Sequence, residues 1–190
     1  MINLKYKIIL GSSSPRRKEI LTKMGIRYLI KEPTNKELIR TELERNDIAL
    51  EIAKQKTDNL LHYIDEKSIL ITADTIVTYN DNILNKPKNK KEAHEMLTLL
   101  SNRTHKVITG VYITSIEKQI SFSCATKVTF RKLSTEEINN YIKKHNPMDK
   151  AGGYGIQDWI GYIGIKHIQG SYSNVLGLPS SILYEKLLSF

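Results

Sequence analysis

Tyr6-Lys7-Ile8-Ile9-Leu10-Gly11-Ser12-Ser13-Ser14-Pro15-Arg16-Arg17-Lys18-Glu19-Ile20-Leu21-Thr22-Lys23-Met24-Gly25 passes from an apolar run, through a turn of small hydroxyl residues, into a segment of helical spacing. The spacing predicts a strand near Tyr6 to Leu10 and a helix over Pro15 to Met24, with Ser14 as cap, Pro15 at the first helical position and Gly25 closing the end. A strand feeding a helix through a short turn is the unit from which layered α/β folds are built.

Outward from this unit the alternation continues. A second strand is expected around Tyr28 to Lys31 and a helix over Asp47 to Leu61, where Ile48, Ile52 and Ala53 recur at helical spacing. Ser68 to Tyr79 reads as a long strand, apolar except at Asp74, turned back by Asn80-Asp81-Asn82 toward Ile83-Leu84. Lys90 to Leu100 follows as a helix, then strands over Lys106 to Ser115 and Ile120 to Phe130. In the last of these Ile120, Phe122, Cys124, Thr126, Val128 and Phe130 alternate with mostly polar neighbours, an antiparallel signature. Ser134-Thr135-Glu136-Glu137 is a capping box opening a helix to about Lys144. A glycine-rich stretch, a strand near Tyr162 to Ile168 and a helix from Pro179 to Leu188 complete an α/β chain with a mixed sheet, read as one domain over residues 1–190.

The chain has 190 residues, 40% hydrophobic and 26% charged, which is enough apolar material for a core and excludes a disordered class. A lone Cys124 excludes an internal disulfide and suits a reducing, cytoplasmic address. Ile8-Ile9-Leu10 is too short for a signal-peptide core, and no run approaches the roughly 18 apolar residues of a membrane span, so no membrane partner is expected. The formal charge of +9 permits an anionic partner without choosing among nucleic acid, membrane surface and phosphate ligand.

Four stretches carry candidate chemistry. In Gly11 to Lys18, the cations Arg16, Arg17 and Lys18 occupy a helix's first turn, where dipole and unpaired amides disfavour them, so the turn either seats an anion or presents a solvated basic face. It matches neither a Walker loop nor G-x-S-x-G. Asp74 within its apolar strand is costly to bury unless paired or bound to metal, or else it faces solvent from an edge strand. Glu37, Lys56 and Lys86, taken singly, read as surface residues. Asp149 to Gln157 contains three glycines that allow close backbone approach to a ligand; Gln157 is able to donate and accept at a base edge, and the alternative is a structural loop. The five histidines, at 62, 94, 105, 145 and 167, lack metal-ligand spacing, leaving a hard, oxygen-bound cation as the metal type expected.

Leu10 to Arg17, Ala73-Asp74-Thr75-Ile76-Val77, Lys86-Pro87, His105 to Gly110, Asp149 to Gln157 and Gly177-Leu178-Pro179, in this order, resemble the Maf family of nucleoside triphosphate pyrophosphatases, historically linked to septum formation. The resemblance runs nearly end to end. It implies an elongated mixed β-sheet with flanking helices, two lobes around a deep cleft and a homodimer. It also implies hydrolysis of the α–β phosphoanhydride with Mg²⁺ or Mn²⁺ as cofactor. By motif, Asp74 matches the group that activates water and contacts metal. Ser12, Arg16 and Arg17 match phosphate ligands, Lys56 and Lys86 complete the positive rim, and Glu37 is a metal-side carboxylate. Arg16, Thr75 and Gln157 match the branch acting on dTTP and UTP; the branch preferring 7-methyl-GTP has Ser-Asp-Gln where Ala73-Asp74-Thr75 stands. Gly11, Asn85 and Lys36 depart from the usual pattern. The competing classes are a basic nucleic-acid-binding module, which lacks an aromatic-basic signature here, and a division-associated regulator acting by protein contacts.

Overall fold

The computed structural model describes residues 5–35, 38, 40, 42–80 and 82–190. Its strands are β1 (Lys7–Gly11), β2 (Tyr28–Ile30), β3 (Ser68–Tyr79), β4 (Asn82–Leu84), β5 (Thr104–Thr114), β6 (Gln119–Phe130) and β7 (Ile165–Gln169). Helices α1 (Pro15–Lys23), α2 (Arg45–Leu60), α3 (Lys90–Leu100), α4 (Thr135–His145), α5 (Trp159–Gly164), α6 (Tyr172–Val175) and α7 (Ser180–Leu187) lie between and after them. Hydrogen-bonded neighbours follow the order β2-β1-β3-β5-β6-β7, with β4 on β3. β1 runs parallel to β2 and to β3, whereas β4 and β7 are antiparallel to their partners, so the sheet is mixed as the alternation of elements predicts. No helix among the described residues is long and apolar enough to cross a membrane.

The chain divides into two compact units, the first made of residues up to Asp74 with Thr109–Cys124 and Gly177–Phe190, the second of Thr75–Ile108 and Ala125–Leu176. In the first, α1 buries Ile20 and Leu21 and ends where Gly25, at φ +71°, lets the Ile26 N–H return to the Leu21 carbonyl. In the second, Val77, Leu97, Val128, Phe130, Ile138, Tyr141 and Ile156 form part of one continuous core. There α4 begins with the capping box read from sequence: the Glu137 N–H donates to Ser134 Oγ while the Ser134 N–H donates to the Glu137 carboxylate.

Two local readings fail. Ser14 sits at the N-cap of α1 but makes no side-chain cap bond, its own N–H donating instead to Ser12 Oγ. Tyr162 to Gly164 is not strand but the end of α5. Trp159-Ile160-Gly161-Tyr162-Ile163 is β-like in composition, yet Gly161 lies so close to the Ile156 carbonyl that a Cβ there would approach its oxygen to 1.9 Å. That packing and the Gly161 N–H bond to the Asp158 carbonyl select helix over local propensity.

Candidate active site

In the first unit the site is built on β3. Its carboxylate, Asp74, has a side chain 15% exposed, and its partner is Lys56, whose side chain is 10% exposed and whose ammonium stands 2.6 Å from Asp74 Oδ1. The same Nζ lies 3.4 Å from the Ala73 carbonyl. α2 aims this cation inward by helical arithmetic: Ile48, Ala49, Ile52, Ala53, Lys56, Thr57 and Leu60 are its buried stripe. The helix is then fixed against the strands by two devices. The Thr57 and Thr72 hydroxyls lie 2.6 Å apart and both within hydrogen-bond distance of the Ala53 carbonyl. On β5, Gly110 admits the α2 backbone so closely that a Cβ would sit 2.4 Å from the carbonyl carbon of Ala49. Asp74 is therefore neither on an edge strand nor facing solvent, and the surface reading of Lys56 is wrong. A lysine on the apolar stripe of its own helix is the signal that spacing offered.

The register of β1 on β3 pairs Gly11 with Thr72, which brings Ser12 alongside the Ala73–Asp74 stretch. Ser12 is buried, its Oγ accepting from the Ser14 N–H and from Arg17 Nη1 at 3.2 Å each. Arg17 is buried as well, and its Nε donates to the Gly177 carbonyl at 2.8 Å. Arg17 thus ties the turn to the segment before α7, while Arg16 remains half-exposed in a first helical turn that holds no acidic residue. Cations at that position are disfavoured by the helix dipole and leave an electrostatic preference for an anion.

The second unit holds the other described residues that the resemblance singles out. Thr75 is half-buried and Lys86 exposed; the carbonyl of Asn85, next to Lys86, accepts from the Gly152 N–H, so the Lys86 loop rests on the glycine-rich stretch. Within that stretch Gln157 is half-buried, and its Oε1 is enclosed without a hydrogen-bond partner among the described residues. Sequence reasoning gave His105 no role of its own, yet it is 2% exposed, its Nε2 lies 2.7 Å from the Tyr154 hydroxyl, and its ring stacks on Phe130. Burial pushes its imidazole down to about 4 and pushes the Tyr154 phenol up, so neither group ionises near neutrality. Alternation along Thr104-His105-Lys106-Val107, with His105 and Val107 inward, was the available signal.

The Maf-like protein family model matches residues 7–190. The chain belongs to the Maf-like family. Among relatives, the dTTP/UTP pyrophosphatase of Phocaeicola vulgatus is 50% identical over 96% of this chain and 95% of its own length. Those of Porphyromonas gingivalis strain W83 and Bacteroides thetaiotaomicron are each 46% identical, covering 98% and 96% of this chain and 95% of their own lengths. A solved nucleoside-triphosphatase / dITP/XTP pyrophosphatase from Mycobacterium abscessus is similar at a TM-score of 0.42 with 14% identity over 65% of this chain and 72% of its own, too remote to bear on either fold or substrate.

For this Maf-like chain the donor set decides what metal fits. Among the described residues no group of three His, Cys, Asp or Glu is placed to hold an ion, and Glu37, expected as a metal-side carboxylate, lies outside the described residues. With Oδ1 of Asp74 on the Lys56 ammonium, Oδ2 is the carboxylate oxygen left for a cation. A single carboxylate suits a hard ion of the Mg²⁺ or Mn²⁺ kind that draws most of its ligands from substrate phosphate and water.

Proposed function

We propose that this Maf-like chain hydrolyses dTTP and UTP to the nucleoside monophosphate and pyrophosphate, with residues 1–190 acting as one catalytic domain. The observation that carries the reading is the largely buried Lys56–Asp74 pair, 2.6 Å long, with Lys56 buried and Asp74 half-buried on an otherwise apolar strand. An ion pair there is expensive to desolvate and adds little to folding, so its residues are held for chemistry.

Asp74 takes the proton from a water that attacks phosphorus as the α–β phosphoanhydride breaks and pyrophosphate departs. Lys56 holds the carboxylate in place and offsets the phosphate charge. Both acceptor sites of Ser12 Oγ are engaged, which leaves its hydrogen to donate to a phosphate oxygen. Arg16 and Lys86 pair with phosphate oxygens, and Arg17 acts chiefly by orienting Ser12. A divalent cation bound at Asp74 would supply neutralisation of phosphate charge, the main requirement of displacement at phosphorus.

Base selection falls to Gln157 with Thr75. The Gln157 amide is able to accept from the N3–H of uracil and thymine and to donate to a carbonyl beside it, whereas cytosine presents an acceptor at N3. Two of the cations behind the +9 charge, Arg17 and Lys56, are buried in the site, and charge alone does not favour nucleic-acid binding. A cytoplasmic homodimer belongs to the same proposal, its oligomeric state to be read by light scattering.

The test is pyrophosphate release from dTTP and UTP with Mg²⁺ or Mn²⁺, comparing wild type with Asp74→Asn. Turnover should fall by about a thousandfold in the variant. Equal rates in the two proteins would reject the role of Asp74.

A further inference from the structure

Gly155 to Asp158 form a four-residue turn closed by the Asp158 N–H donating to the Gly155 carbonyl at 3.0 Å. Its two central residues diverge: Ile156 is buried in the second unit's core, and Gln157 is half-buried with its Oε1 enclosed. Both ends of the turn meet one atom from another element. The Tyr141 hydroxyl, on α4, donates to Asp158 Oδ2 at 2.7 Å and accepts from the Gly155 N–H at 3.1 Å.

A phenol has a single proton to give, and here the carboxylate takes it while a lone pair receives the amide. Tyr141 is itself fully buried, and burial together with the Asp158 carboxylate pushes its ionisation upward, so it remains a donor across the working range. The Lys150 ammonium stands 3.8 Å from the same Asp158 oxygen and 2.7 Å from Asp149, which steadies the carboxylate from a second side. The arrangement also requires glycine at 155: a Cβ there would lie 2.6 Å from Asp158 Oδ2 and displace it from the hydroxyl.

We propose that Tyr141 is a positioning residue for base recognition: by pinning both ends of the 155–158 turn to one oxygen it sets the direction of the Gln157 amide, and through it the preference for dTTP and UTP. This rests on the reading of Gln157 as the base-contacting residue.

Tyr141→Phe keeps the ring and removes only the oxygen. KM and kcat are measured for dTTP, UTP and dCTP beside the thermal midpoint, with Gln157→Ala in parallel. In Tyr141→Phe, KM for dTTP and UTP should rise about tenfold with kcat within about twofold, and the advantage over dCTP should shrink by about the same tenfold, because a small misdirection of one amide is felt mainly in binding. A merely structural role would lower the midpoint and leave KM and discrimination untouched, which overturns the inference. Gly155→Ala, which disturbs the same junction from the other side, should reproduce the loss; wild-type KM and discrimination in that variant also overturn it. If Gln157→Ala loses discrimination while Tyr141→Phe keeps it, the inference falls and the base reading stands. If Gln157→Ala keeps discrimination, the base reading falls and takes the inference with it.

Discussion

Lys56 and Asp74 in the first unit meet at 2.6 Å with side chains 10% and 15% exposed, whereas His105 and Tyr154 in the second meet at 2.7 Å, 2% and 5% exposed. The two pairs are equally short and comparably withdrawn from water, yet they meet burial in opposite ways. The His105–Tyr154 pair is neutral: burial drives the imidazole to about 4 and the phenol upward, and the hydrogen bond pairs Nε2 with the phenol while Nδ1 is enclosed without a partner among the described residues. The Lys56–Asp74 pair is instead a lysine–carboxylate contact on an otherwise apolar strand, where a hydrophobic pair of similar volume would fold at least as well. Neutral pairs of this kind hold segments in place, here the glycine-rich stretch that carries Gln157. On the proposed function, the Lys56–Asp74 pair is held for what it does to the substrate.

The strongest way to break this contrast is the double variant Asp74→Leu with Lys56→Met. Pyrophosphate release should fall by about a thousandfold or more while the thermal midpoint stays level or rises. A midpoint lowered by several degrees would mean that the pair holds the fold after all.

Acid titration probes the neutral partner. As pH falls below about 6.5 the unfolded chain protonates at His105, but the folded chain refuses that proton until about pH 4. Stability therefore declines as pH drops through that window, by on the order of 2–3 kcal/mol, and this contribution is flat above it. Denaturant midpoints at pH 7.5, 5.5 and 4.5 should show a shallower acid decline in His105→Gln than in wild type; parallel declines would place the proton uptake elsewhere.

The smallest effect sharpens the comparison from outside the site. Arg131 and Glu137 form a two-pronged pair at 2.7 and 3.1 Å, with side chains 39% and 29% exposed, and the guanidinium holds the Glu137 carboxyl down at about 2. What it adds to stability is present above about pH 4.5 and is lost as pH falls toward 2. Glu137→Gln should cost less than about 1 kcal/mol, because water screens the pair, and should leave turnover unchanged. A loss of activity there would show that a short ion pair matters wherever it sits, and would undo the distinction.

Some of this was legible in residues close together in the chain. The strand, turn and helix over 6 to 25, the Gly25 ending and the Ser134–Glu137 capping box all depend on contacts within a few positions, and each is present. Helix α5 was missed for the complementary reason: its apolar, aromatic composition favours strand, and a close approach to the Ile156 carbonyl overrules it. Lys56 was half-legible, since its place on the buried stripe of α2 is a matter of counting, but what it faces is not.

By itself, then, the sequence determined the α/β class, the order of the elements up to α4, the family and the residue types able to handle a triphosphate, because periodicity, caps and ordered motifs are local properties of the chain. Only the tertiary structure decided which cation meets Asp74, that Arg17 serves Ser12 and the Gly177 carbonyl, and that one phenol closes the turn bearing Gln157. Apart from the Arg17–Ser12 bond, those contacts join residues 14 to 160 positions apart, and their energies depend on burial and register, which take definite values only once strands and helices have packed.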